Sequence, residues 1–415
     1  MSKPRWLVSI ALFGALALVA AACGEEEAAE FQPGPLGAVT VEPGAPVKIA
    51  VFESLSGDTA SLGEDQLRAV QIAVDDKGGE LLGHPIEIVE LDDGCAAEQG
   101  TTGAQRIVAD PQIVGVIGTS CSGAAIPAME ILSEEGFTMI SGSNTSPLLT
   151  SIAGVEATAH LPGYFRTAHN DEIQGAAAAN FVFSELGITK AATIHDGDPY
   201  TEGLATAFGA SFEELGGEVV LATSVGVDQK DMKPVLTEVA AAGAEIVYFP
   251  IFQPAGDFIA AQAKEVAGLE AAVLMGADGL LSDTYVELPQ TEGMYFSGPQ
   301  TPTGSEYQAF VGKYEAEFGE KPIQAFHAHA FDAANVLFAV IEEVAVVEDD
   351  GTVHIDREEL RNTVAGTSGF EGLTGTITCD EFGDCADPAI DVVQNTEAEK
   401  TIDQVRANVL FTFEP

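Results

Sequence analysis

The sequence predicts an α/β protein made of two doubly wound, Rossmann-like domains, each a parallel sheet covered by helices on both faces. Three observations carry this. From Val47 onward, short apolar runs alternate with longer amphipathic stretches, the pattern that parallel strands impose because they need helical crossovers. Near FRTAHND, at residues 165–171, the alternation restarts. The length of 415 residues exceeds one ordinary domain and suits two with sizeable cores.

The elements follow in order. Residues 47–54 (VKIAVFES), 85–93 (PIEIVELDD), 113–119 (IVGVIGT) and 137–143 (FTMISGS) read as strands, their apolar runs fitting strands buried on both faces. Residues 65–79, 96–110 and 122–136 between them have helical spacing. A second series of strands falls at 190–197, 218–225, 245–252 and 271–278. Residues 305–366 read as mainly helical, and 372–393 as a hairpin around Glu381, Phe382 and Gly383. In open sheets of this kind ligands bind beyond the carboxyl ends of the strands.

The first 46 residues have a different character. Lys3 and Arg5 precede an apolar run from Leu7, and Ala20, Ala21 and Ala22 lead into Cys23. That order predicts a secretory signal over 1–22 and a lipid carried on the Cys23 thiol. A membrane span is the rival reading, since the run approaches the ~20 residues that cross a bilayer, but Gly14 and the alanines make it weakly apolar. Residues 24–46, acidic and then rich in Pro and Gly, read as a flexible tether with a coil reach of about 26 Å. The expected location is extracytoplasmic, held to the membrane by the lipid.

Charge and cysteine usage narrow the function. A formal net charge of −48, from 17 basic and 65 acidic residues, repels phosphate backbones and excludes nucleic acid as a partner. A highly solvated shell is the favoured reading of that charge. With Cys23 taken by lipid, Cys95, Cys121, Cys379 and Cys385 remain. In an oxidising compartment they suggest two disulfides, and their positions alone leave three pairings open. No Cys/His metal spacing, GxSxG elbow, HExxH, Walker loop or GxGxxG after the first strand is present. His195 and Asp196, adjacent on a strand, point to opposite faces. His327 and His329 lie about 200° apart on a helix and cannot chelate together, and Asp92 and Asp93 read as a strand-end turn. The expectation is a binding protein without enzyme activity, metal or cofactor.

Eight local segments in order resemble the type I periplasmic binding proteins, in particular the leucine/isoleucine/valine-binding branch that feeds ABC importers. They are SLSGDTASLG (54–63), LDDGC (91–95), TSCSG (119–123), MISGSNTSP (139–147), FRTAHNDEIQG (165–175), IHDGDPYTEGLA (194–205), LMGADGL (274–280) and FEGLTGTITCDEFGD (370–384). The resemblance covers residues 47–415. It implies three crossovers near Thr167, Ser297 and Thr376, with domain one from 47–167 and 298–376 and domain two from 168–297 and 377–415. Two domains so joined close on a ligand like a hinged jaw, and ABC permease subunits are the implied partners. It also pairs Cys95 with Cys121, leaving Cys379 and Cys385 to close a short loop around the hairpin turn.

The resemblance carries a set of ligand-binding residues. Ser122, at a helix start where free N–H groups favour an anion, would hold a carboxylate; helix capping is the rival role. Ser143 and Thr145 would meet both ends of a zwitterion, against a local side-chain turn. Asp278 stands where the family pairs an acid with the ligand ammonium, and is Asp where branched-chain binders usually have Glu. Tyr200 and Asp171 would come from domain two as a lid. Leu62 and Phe252 replace an aromatic residue and a tyrosine in the apolar wall. The ligand reading is a branched-chain or other apolar amino acid; an amide, urea or small aromatic acid, or a sensing rather than transporting role, is the alternative.

Overall fold

The computed structural model describes residues 31–397 and 400–415; the expected signal segment and Cys23 lie outside them. Two open sheets organise the chain. The first runs, edge to edge, Glu80–Leu81, His84–Asp92, Val47–Glu53, Ile113–Gly118, Met139–Ser141 and Tyr164–Arg166. Every pairing after the first is parallel. The second runs Glu218–Ser224, Lys190–His195, Ile246–Tyr248, Val273–Ala277, Tyr295–Pro299, Ile390–Gln394 and Val409–Phe413. Its last two strands are antiparallel.

The apolar runs become core on both faces. Ile49 and Val51 join Leu337 and Phe338 on one side of the first sheet, while Ala50 and Phe52 join Met129 and Leu132 on the other. That alternation is the period of two of a strand, with each large side chain contributing about 1.5–3 kcal/mol by burial. The second sheet is covered the same way, with Val247 and Leu274 in one cluster and Ile246, Tyr248 and Met275 in another.

The chain passes between these lobes more than once. After Arg166 it enters the second lobe at the helix Asp171–Asn180. After Pro299 it returns, and the helices Ser305–Phe318 and His327–Val344 pack on the first lobe's helix Ala60–Asp76. The last passage comes later than Thr376. Ile377 and Cys385 are buried in the first lobe's core, and Asp384 bridges Arg166, so residues 377–385 pack with the first lobe. The hairpin is also displaced from its expected place. Its strands are Phe370–Gly372 and Gly375–Ile377, held at the tip because the N–H groups of Leu373 and Thr374 donate to Asp332. Glu381–Gly383 is instead the turn enclosed by the Cys379–Cys385 disulfide.

Residues 38–41, within the stretch expected to be a tether, are part of the folded body. Ala38–Val41 pairs antiparallel with Val353–Asp356, and Val39 and Val41 are each 1% exposed. The alternation in AVTV, flanked by Pro and Gly, is a four-residue strand that the surrounding turn residues conceal. Cys95 and Cys121 are disulfide-bonded with Cα atoms 5.0 Å apart. The bond joins the loops that leave two strands, His84–Asp92 and Ile113–Gly118, both neighbours of Val47–Glu53.

Candidate functional site

A small cleft, partly open to solvent, lies between the carboxyl ends of the two sheets. Leu62, Ser122, Ser143 and Thr145 line it from the first lobe, and Tyr200, Phe252 and Asp278 from the second. Asp171 does not line it.

The first-lobe wall is polar and tightly wired. Ser122 opens the helix Ser122–Glu134, and its Oγ accepts the Ser146 N–H at 3.2 Å. The Ser143 hydroxyl donates to the Ser120 carbonyl at 2.8 Å. Ser141 Oγ accepts the N–H groups of Ser143 and Asn144, so the loop is a side-chain turn as well as a cleft wall. The Thr145 carbonyl is not free; it accepts the Asp171 N–H at 2.9 Å. Behind this wall Asp93 accepts the N–H groups of Cys95 and Ser120, each at 2.7 Å. Burial pushes the Asp93 carboxyl up to about 7, and pushes the adjacent Glu53 carboxyl well up too. These two acids fix the strand ends from which the wall projects.

The second-lobe wall centres on Asp278, at the end of Val273–Ala277. Its Oδ1 accepts from Gln174 Nε2 at 2.6 Å and from the Tyr200 hydroxyl at 3.2 Å. The same Tyr200 oxygen accepts the Gly279 N–H at 3.2 Å, and the Tyr200 ring meets Phe252 with centroids 5.2 Å apart. Burial raises the Asp278 carboxyl to about 6, against the hydrogen bonds from Gln174 and Tyr200. Asp171 is fully buried behind the cleft, the first residue of its helix after the cap Asn170. The Thr145 hydroxyl and the Arg166 guanidinium both favour its charged form. Burial, then the nearby Asp278 charge, holds Asp171 well above the ordinary carboxylate range. The role of a lid does not suit it, because it is enclosed instead of lying over the cleft.

Asp278, a buried acid in a cleft that no Lys, Arg or His among the described residues lines, forms a subsite that favours positive charge. Opposite it, the hydroxyls and helix start of the first lobe suit a carboxylate. Leu62, Phe252 and Phe326 supply apolar surface beside both. Gln174, Gln324 and Phe326 were not singled out in the sequence. Gln174 lies three residues after Asp171, within one helical turn, which is a usable signal; Phe326 is brought in from a distant helix and has none. Among the described residues no group of three or more His, Cys, Asp or Glu is placed to hold a metal ion, and no helix is long and apolar enough to cross a membrane.

Two α/β lobes joined by several chain passages, with a small polar cleft between their strand ends, define a solute-binding protein. Residues 46–390 match the family model described as periplasmic binding protein, and the chain belongs to that family. Its members are solute-binding proteins rather than enzymes, and they work outside the cytoplasm. The chain is 30% identical over 357 residues to Leu/Ile/Val-binding protein homolog 3 of Brucella melitensis, covering 84% of this chain and 91% of that one. A solved leucine-binding protein of Thermotoga maritima superposes with a TM-score of 0.75 at 25% identity, over 89% of this chain and 99% of the other. An ABC-transporter solute-binding protein of R. palustris in complex with benzoate shares the fold, with a TM-score of 0.69 at 24% identity over 85% and 94%.

Proposed function

We propose that the protein captures an α-amino acid of the size of leucine, isoleucine or valine and delivers it to the permease of an ABC importer. The observation that carries this is the buried acid Asp278 at the cleft wall. Asp278 faces the cleft with no Lys, Arg or His among the described residues lining it, and a ligand ammonium supplies the counter-charge. The ligand carboxylate then lies at Ser122, Ser143 and Thr145, and its side chain against Leu62, Phe252 and Phe326. Capture proceeds by rotation of the lobes about the three passages. Cys23 carries the lipid that keeps the protein at the membrane. The name of the Brucella relative supports the size class.

A thermal-shift screen over amino acids, amides, urea and small aromatic acids tests the reading. A ligand at ~100 times its dissociation constant stabilises by about 2.7 kcal/mol. α-Amino acids are expected to raise the melting temperature. A response to aromatic acids alone would move the protein to the aromatic-acid class. Mass spectrometry of membrane-extracted protein should find an acylated Cys23 at the N-terminus; an unmodified chain would refute the anchor.

A further inference from the structure

The cleft has a second end, and it is not purely apolar. Ser61 and Gln324 both line it, and the Gln324 side-chain amide donates to Ser61 Oγ at 2.8 Å. Gln324 is held in place through its backbone. Its N–H donates to Asp65 Oδ2 at 2.6 Å, and its carbonyl accepts from His327 Nδ1 at 2.7 Å. It is only 7% exposed. A hydroxyl and an amide joined by one hydrogen bond leave at least one donor and one acceptor unused, whichever way the amide is turned. Here the free groups are Gln324 Oε1 and the Ser61 proton, neither of which has a partner among the described residues.

The sheet order sets which end this is. Ser61 follows the strand Val47–Glu53, whereas Ser143 and Thr145 follow Met139–Ser141, with Ile113–Gly118 between the two strands. Two strand spacings separate the ends by about 10 Å. An amino acid whose ammonium and carboxylate occupy the Asp278 end therefore sends its side chain toward Ser61 and Gln324. Asp58 lines this end too but is exposed, where water screens its charge.

We infer that the ligand, read as an α-amino acid as proposed above, carries a short neutral side chain ending in a carboxamide or hydroxyl, recognised by Ser61 and Gln324. An aliphatic side chain of equal size would strip water from the Gln324 amide and return no hydrogen bond, and sites built to pair a polar group reject analogues that lack it.

Asparagine and leucine, and threonine and valine, are pairs of nearly equal shape that test this by calorimetry. The native protein is expected to bind the polar member of each pair about tenfold to a hundredfold more tightly. Ser61→Ala with Gln324→Met, a swap that keeps the volume, is expected to abolish or reverse the preference while the ligand-free melting temperature stays near native. Leucine and valine binding as tightly as their partners in the native protein would overturn the inference alone, as would lysine outbinding all four. A polar preference that survives in the double variant would also overturn it. Binding of none of these amino acids would overturn it together with the α-amino-acid reading.

Discussion

Asp198 of the second lobe stands against Gly123 of the first, so near that a Cβ there would displace the Asp198 carboxylate. Close by, the Ser146 hydroxyl donates to the Pro199 carbonyl at 2.9 Å across the same boundary. Gly123 lies in the first turn of the helix that also presents Ser122 to the cleft. The lobes therefore meet at the mouth of the site through a contact that a larger residue at 123 would disturb.

Gly123→Ala is expected to weaken ligand binding without weakening the free protein. Overpacking costs about 1–3 kcal/mol, or roughly fivefold to more than a hundredfold in affinity, and falls only on the state in which the lobes touch. Alanine is a better helix former by about 0.5–1 kcal/mol, so ligand-free stability should hold or rise. Calorimetry and thermal unfolding on the same variant check both halves, and unchanged affinity would show that this contact is not made in the bound state.

The buried acids predict opposite pH responses of stability and binding. Asp278 has its carboxyl raised from 3.8 to about 6, so the folded state holds a proton that the unfolded state has released. That stabilisation is complete below the unfolded value and is lost as pH rises through 6. Ammonium binding needs the carboxylate, so affinity should fall about tenfold per unit below pH 6 and level off above 7. Asp65, Asp198 and Asp332, also near 6 through burial, share the stability trend. The difference between native protein and Asp278→Asn, measured from pH 5 to 7, isolates the cleft.

Arg166 predicts a stability effect at the first passage between lobes. The guanidinium is fully buried, pairs with Asp384, and donates to the carbonyls of Asn144 and Ser146 at 3.1 and 2.9 Å. It thereby pins the loop that carries Thr145. Asp384→Ala leaves a buried cation without its counter-charge and should cost about 3–5 kcal/mol, read as a lower urea midpoint at unchanged slope.

The Cys95–Cys121 disulfide spans 26 residues and is expected to contribute about 3.5 kcal/mol through loop entropy. Because Cys121 leads directly into Ser122, replacing both cysteines by serine should also weaken ligand binding. Equal affinity with lowered stability would confine the bond to a structural role.

Much of this was legible in the sequence, for physical reasons. Strands such as Ile113–Gly118, buried at every residue, announce themselves as continuous apolar runs. Seven of the eight residues expected at the ligand do line one cleft, because each follows a strand end in one of two facing sheets. What escaped were contacts between distant segments. Phe326 and Gln324 come from the third block, and no local pattern marks their approach to Leu62 and Ser61. Asp171 was read from its motif, which does not reveal that its helix start is buried. Val39 and Val41 escaped for the opposite reason, since Pro and Gly around a short strand look like linker.

Asp278 is expected to bind the ammonium of the ligand. Calorimetry of native protein and Asp278→Ala tests it most directly, using the best amino acid from the screen and the 2-hydroxy acid that replaces its ammonium by a hydroxyl. The native protein should prefer the amino acid strongly. In the variant its affinity should fall by several hundred-fold or more, about 3–5 kcal/mol, and that preference should vanish. An amino acid that binds both proteins equally well would show that its ammonium is held elsewhere.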